Sequence, residues 1–398
     1  MKVSEKFHLT YCTNIHPGED WESIFSNLQK YIPRIKEKVC PHSDFGLGLR
    51  LSNQASVELK REGNLEEFQE WMYKNGVYVY TMNGFPYGNF HHQRVKDQVH
   101  TPDWTTEERC VYTERLFDQL AHLLPKGMSG GISTSPVSYK HWFTSQQAIH
   151  TAFGVGAKNM LRIAKKLYEI EQNSDVYLHL DIEPEPDGLL ENTEDVLLFF
   201  NDFLLPIGRE FFKKELGLDT AESEEAIKRY LTLCYDVCHF SLAYEEPKDT
   251  FAKLKQHGIH VGKIQISAAL KIVFDKGVRE VILRALSKFD EPVYLHQVTE
   301  RTDLGVKTYS DLPEILGLKE DFSELRAHFH VPIFLEQFDN LHSTQDHIIK
   351  TLEYLKEDPI CDHLEVETYT WEVLPENLKK ELSESICREL EWVKARLE

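Results

Sequence analysis

The sequence predicts an α/β chain folded as a single (β/α)8 barrel, the TIM-barrel architecture, over residues 1–398. Three observations lead there. Eight short β-prone runs alternate with helical patterns along nearly the whole chain. No GxGxxG follows the first strand, so the usual mark of a dinucleotide-binding doubly wound sheet is missing. Three of the apolar strand runs end in carboxylate or imidazole side chains, where a parallel barrel places its reactive groups.

In chain order, residues 7–13 (FHLTYCT) read as the first strand. The turn HPGED follows, and Asp20 is placed to cap a helix whose Trp21, Ile24, Phe25 and Leu28 keep helical spacing. Residues 45–51 (FGLGLRL) form the second strand, with Gly46 and Gly48 marking close backbone approach. A helix over 65–75 closes on Asn75-Gly76, and 77–82 (VYVYTM) is the third strand. The connection after it, 83–104, is long and rich in Gly, His and aromatic residues. Ordered loops of that length in compact domains are often functional. Asn83, Tyr87, His91, His92, Lys96, His100 and Asp103 are therefore candidates to line a pocket, against the plainer reading of an aromatic-packed lid.

Thr105 and the acidic residues after it start the next helix, and 130–134 (GGIST) is the fourth strand. A helix over 144–171 leads to the fifth strand, 176–183 (VYLHLDIE). Residues 192–217 read as an amphipathic helix interrupted at Pro206, and 221–230 as a helix feeding the sixth strand, LTLCYD from 231. Pro247 starts and Gly258 closes another helix before the seventh strand, 261–267 (VGKIQIS). Two helices and a pair of strands, 293–298 and 329–335, then form an insertion between strands seven and eight, the second irregular at Pro332. Ser343 caps a helix through 355, 364–370 is strand eight, and the tail from Pro375 is an amphipathic helix.

Composition narrows the partners. The formal charge is −20, with 45 basic against 65 acidic residues and no strong basic run, so nucleic acid is not expected. No run of about 18 apolar residues is present, so no membrane insertion is expected. The first twenty residues lack the apolar centre of a secretory signal, which makes cytoplasmic residence the default. The seven cysteines are scattered without CxxC and read as free, buried thiols.

Strand alternation puts His179, Asp181 and Glu183 on one face of strand five, with Glu183 at the exit and Asp181 one layer deeper. Asp236 ends strand six, and the DVCH spacing brings His239 into the loop that follows. Glu365 and Glu367 share a face of strand eight, Glu367 nearer the exit, and His328 and His330 share a face in HFHVP. Each of these alone is more often a cap, an ion-pair partner or a surface group. Carboxylates converging without a cation repel and raise one another's pKa, and a divalent ion resolves the conflict. Glu183, Asp236 and Glu367 are thus the expected ligands of a divalent metal, Mn²⁺, Zn²⁺, Fe²⁺ or Mg²⁺. Strand seven, where a histidine would complete such a set, offers Gln265 and Ser267 instead.

Around this centre the chain resembles the xylose-isomerase-like TIM-barrel superfamily of sugar isomerases, epimerases and endonuclease IV-type enzymes. YDVCH is similar to the endonuclease's strand-six motif, and Glu183 and Glu367 match the superfamily's strand-five and strand-eight glutamates. More narrowly, NGFPYGNFH, TPDW, GGISTSP, YDVCHFSLAYE, HFHVPIF and LEVETYTWEVLP together resemble the EboE family, the metabolite traffic proteins. That resemblance implies a role in moving a secondary-metabolite precursor, alongside other proteins of a bacterial gene cluster. Taken together, the expectation is a metal-dependent isomerase or epimerase acting on a small polar metabolite. Glu183, Glu367, His239 or His330 would move the proton; Arg50, His91 and Lys96 would meet an anionic group, with Asn83 and Gln265 as further substrate contacts. The alternatives are a non-catalytic barrel that binds a metabolite and passes it on, and a phosphodiesterase of the endonuclease IV type, which the net charge disfavours.

Overall fold

The computed structural model describes residues 1–88, 96–274, 277, 279–290, 295–368 and 381–398. Its main sheet has nine strands: β1 (Lys2–Val3), β2 (Phe7–Tyr11), β3 (Phe45–Arg50), β4 (Val77–Asn83), β5 (Gly130–Thr134), β6 (Leu178–Ile182), β7 (Leu231–Asp236), β8 (Val261–Ile266) and the last strand of the chain, His363–Val366. All but β1 pair in parallel. The eight parallel strands sit at the eight predicted places, and the sheet curls into a nearly closed (β/α)8 barrel.

Closure is finished by side chains rather than by a ladder. Between β2 and β3 the described backbone makes a single bridge, Cys12 to Gly48. The Thr10 hydroxyl donates to the Gly46 carbonyl at 2.7 Å and accepts from the Gly48 N–H at 3.2 Å, and Thr13 Oγ1 accepts from Arg50 N at 2.9 Å. The seam stays open because a buried carboxylate fills it: a Cβ on Gly48 would lie 1.7 Å from Glu365 Oε2. That is the close approach the glycine pattern of this strand predicts.

Helix boundaries follow local chemistry. The Asp20 carboxylate caps the helix Trp21–Val39 by accepting from Ser23 N, and Gly76 and Gly258 close their helices with positive φ. Pro206 does not interrupt its helix. A π-helical turn over Phe199–Leu204 absorbs the missing N–H and carries Thr193–Leu198 on into Leu205–Leu216. The cap of Gln345–Glu357 is Thr344, with Ser343 one residue earlier in a strand. The final helix, Leu382–Leu397, packs on Trp21–Val39 and on β2, and so covers the seam from outside.

The insertion differs from its expected form. Beyond Ser267 the chain continues as β9 (Ala268–Val273), a strand that the sequence reading, with two helices after strand seven, did not include. It enters a second, antiparallel sheet with β10 (Val298–Thr302), β11 (Gly305–Tyr309), β12 (Glu324–Val331), β13 (Gln337–Phe338) and β14 (Leu341–Ser343), in the order β11-β10-β12-β9-β14-β13. Of the strand expected at 293–298, residues 293 and 294 lie outside the described residues, and the described strand starts at Val298. Just before it, the His296 N–H is taken by Asp311 Oδ1, while the Gln297 carbonyl accepts from His328 N of the neighbouring strand. The strand expected at 329–335 runs instead over Glu324–Val331 and stops before Pro332, which has no N–H to offer. The final barrel strand is named β15 (His363–Val366) below.

Candidate metal centre and active site

Three barrel strands and the sheet above them deliver the site. Glu183 follows β6, Asp236 is the last residue of β7, and Glu367 follows β15. All three are buried, and one oxygen from each lies within 4.8 Å of the others. This is the convergence expected from three strand ends.

Gln265, near the end of β8, sits at the centre. Its amide nitrogen is 3.1 Å from Glu183 Oε1 and 3.0 Å from Asp236 Oδ2, and also donates to Glu367 Oε2. Its Oε1 accepts from the Cys234 thiol at 2.9 Å. An amide has two N–H bonds for three carboxylates, and Glu183 Oε2 is buried with no hydrogen-bond partner. Rotating the amide by half a turn aims Oε1 into the same space and its NH2 at the Cys234 sulfur. Three carboxylates and one carbonyl-type oxygen then form an all-oxygen donor set, and this fits a hard divalent ion.

Other side chains set the carboxylates. Asp236 caps the short helix Val237–Leu242, accepting at Oδ1 from His239 N at 3.1 Å and from Ser267 Oγ at 2.7 Å. The D-x-x-H spacing thus places the imidazole three residues into a helix capped by its own carboxylate partner. Asn14 and Asn83 both donate to Glu367 Oε1, at 2.7 and 3.2 Å. Burial, then repulsion from Asp236 and Glu365, pushes the Glu367 carboxyl up to about 8. Burial followed by Glu367 and Asp236 raises Glu183 well above the usual range. Burial works against the Asp236 carboxylate too, but His239, His330, Ser267 and the His239 amide outweigh it, and its pKa falls below the ordinary value. Burial also pulls His239 down and His330 down to about 4.

One layer deeper, Lys263 and Glu365 form an ion pair at 2.6 Å with both side chains fully buried. Asp181 pairs with His179 at 2.6 Å and with Thr232, below the site as strand alternation predicts.

The imidazoles arrive from two directions. His239 donates from Nδ1 to the Pro184 carbonyl at 2.9 Å. His328 and His330 come from β12, where a register shift between Ala327 and Val331 turns this part of the strand out of its ladder. Together with Asn14, Asn83, Glu183, Glu185 and Glu367 they line a cavity of about 80 Å³, whose lining also includes the apolar Phe85, Pro86, Val99 and Leu295.

The remaining candidates divide. Lys96 lines the cavity, but its ammonium is paired with Asp311 of the insertion. Arg50 does not reach it: the guanidinium is buried against Glu19 at 3.2 Å and the Gly18 carbonyl at 3.0 Å. Asp103 caps locally through Thr105 and Ser138, while Tyr87 packs on Tyr112. His100 is in the cavity wall, with Nε2 3.1 Å from Glu185 Oε1. His91 and His92 lie outside the described residues. Asn14, Glu185 and Gln297 join the site without being sequence candidates; Asn14 and Glu185 are open to the same strand-end rule that finds Glu183, while Gln297 depends on the insertion's fold.

Solved structures share this architecture. A xylose isomerase-like TIM-barrel protein from Mycobacterium smegmatis, in complex with magnesium, aligns with a TM-score of 0.51 at 9% identity, covering 100% of this chain and 98% of that one. A D-tagatose 3-epimerase-like protein aligns with a TM-score of 0.50 at 10% identity, covering 98% and 97%. The chain therefore has the fold of xylose isomerase-like TIM barrels, and at such identities the similarity concerns the fold alone. No protein-family model and no curated protein sequence matches it. Among the described residues no helix is long and apolar enough to cross a membrane.

Proposed function

We propose that this protein is a metal-dependent isomerase or epimerase acting on a small polyhydroxylated metabolite. The observation that carries the reading is the convergence of Glu183, Asp236 and Glu367 on one point at the C-terminal rim of the barrel. Magnesium in the M. smegmatis structure and the epimerase-like neighbour support it. Glu183, Asp236 and Glu367 would hold the ion, with Gln265 Oε1 turned inward as a fourth ligand. A divalent ion there supplies Lewis-acid polarisation of a substrate carbonyl or hydroxyl.

The chain's own groups do the rest. Asn14 and Asn83 fix one oxygen of Glu367, leaving the other directed at the centre. A Glu183 or Glu367 carboxylate takes the proton from the carbon beside the substrate carbonyl and returns it to the neighbouring carbon or the opposite face. His330, held through its Nδ1 by the Glu367 carbonyl at 3.0 Å, is placed to move a hydroxyl proton. Phe85, Pro86, Val99 and Leu295 give the cavity apolar lining beside these groups. The test is solvent exchange: Mn²⁺-loaded protein incubated with a ketose panel in D2O should place deuterium beside the carbonyl, and Glu183→Gln and Glu367→Gln should abolish it. No exchange with any ketose, from protein shown to hold the ion, would count against it.

One observation favours a second reading. The Gln265 amide already bridges all three carboxylates, which lets the barrel exist without an ion and act as a metabolite carrier. This agrees with the resemblance to EboE proteins and with partners from the same gene cluster. Tight ligand binding unaffected by chelators, without turnover, would select it.

A further inference from the structure

The orientation of the Gln265 amide is set from the side away from the carboxylates. Strand alternation puts Cys234 and Asp236 on one face of β7, and Lys263 and Gln265 on one face of β8. Cys234 stands opposite Lys263, and Asp236 opposite Gln265. The Cys234 sulfur thus lies one layer below Asp236, fully buried and 2.9 Å from Gln265 Oε1. A thiol keeps its hydrogen at neutral pH and an amide oxygen only accepts, so the S–H donates to Oε1. Among the described residues it is the group that donates there. With Oε1 held by sulfur, the NH2 is turned to Glu183, Asp236 and Glu367.

The two ends of the amide agree on this orientation only while no ion is present. A cation among the carboxylates favours the rotated amide, with Oε1 facing inward. The NH2 then points at sulfur, a weak acceptor, and the S–H loses its carbonyl partner. The cation does nothing to compensate the thiol, so the Cys234 hydrogen bond opposes the rotation in either state. A binding-competent orientation that is only fractionally populated lowers the apparent affinity by that fraction.

We propose that Cys234 is a positioning residue: it holds the Gln265 oxygen away from the carboxylates and so weakens the centre's hold on Mn²⁺ or Mg²⁺, which keeps the ion exchangeable. The proposal rests on the reading in which Glu183, Asp236, Glu367 and Gln265 Oε1 hold that ion. It gives Cys234 no contact with ion or substrate. Its sign is opposite to that of an ordinary packing residue, whose loss loosens a site. Removing this thiol tightens one.

Full-length protein stripped with chelator and titrated with Mn²⁺ by isothermal calorimetry tests this. Cys234→Ala should bind Mn²⁺ about 2- to 10-fold tighter than wild type, the effect of one neutral hydrogen bond. Cys234→Val, which fills the space with a β-prone side chain, should do the same. In a Gln265→Leu background Cys234→Ala should leave the affinity unchanged, since no amide is left to turn. The infrared S–H stretch of wild type, assigned by its absence in Cys234→Ala, should shift when Mn²⁺ is added. A stretch that stays in place, or unchanged or weaker binding by both Cys234 variants while wild type binds, would overturn the proposal and leave the ion reading standing. Equal tightening with and without Gln265 would also overturn it, because the sulfur would then act by another route. Mn²⁺ bound by none of the proteins, wild type included, would remove the ion centre and this proposal with it.

Discussion

The amide nitrogen of Gln265 lies 3.0 Å from Oδ2 of Asp236, at the point where Glu183 and Glu367 also converge. The residue that departs from the histidine expected on strand seven is thus the one that holds the carboxylates together. Gln265→Leu removes the amide nitrogen that lies among all three carboxylates, so the two hydrogen bonds it can supply are lost. The ion-free variant is expected to lose about 1–3 kcal/mol of stability or more. Added Mn²⁺ should then raise its melting temperature further than that of wild type. Paired thermal melts with and without Mn²⁺ check this, and equal shifts would argue against a shared centre.

Asn14 and Asn83 orient Glu367 through hydrogen bonds to Oε1. Replacing both with leucine is expected to weaken Mn²⁺ binding by about 10–100-fold, the usual effect of removing groups that orient a ligand. Isothermal titration with Mn²⁺ measures it, and unchanged affinity would show that Glu367 orients itself.

The Lys263–Glu365 pair inside the barrel is fully buried. Lys263→Met strands the Glu365 carboxylate and is expected to cost about 3–5 kcal/mol in urea unfolding. Lys263→Met combined with Glu365→Leu should recover most of that loss. A double variant no better than the single one would mean that the pair, and not only its balance, shapes the seam at Gly48.

Glu389, hydrogen-bonded to Thr368 next to Glu367, provides a pH test. Burial pushes its carboxyl up to about 8 from an ordinary value of 4.5, despite hydrogen bonds from Thr368 and the Ile333 amide. Between those values the folded protein holds a proton that the unfolded chain releases, so this group's contribution to stability falls as pH rises. Both hydrogen bonds end on Oε1, so Glu389→Gln keeps its acceptor and removes the titration. Urea midpoints at pH 5.5 and 8 should fall less in the variant than in wild type, and parallel falls would contradict the assignment.

The barrel was readable because its code is local. Runs such as LTLCYD and VYLHLDIE carry both the strand and its terminal carboxylate, so Glu183, Asp236 and Glu367 follow from where apolar runs stop. The insertion was not readable in this way. AALKIV is as apolar as a buried helix turn, and pairing with β12 and β14 makes it a strand. Arg50 reads from sequence as a candidate anion contact, but its partner Glu19 comes from the loop after the first barrel strand and periodicity says nothing of it. The orientation of Gln297, the partner of His328, depends on Pro186, 111 residues away in sequence. No local pattern encodes such a relation.

A crystal soaked in Mn²⁺ with data collected at the manganese absorption edge tests the centre most directly. The account predicts an anomalous peak among the carboxylates of Glu183, Asp236 and Glu367, with Gln265 Oε1 turned toward it at about 2.0–2.3 Å. No peak there, with the Gln265 amide nitrogen still bridging the three carboxylates, would contradict it.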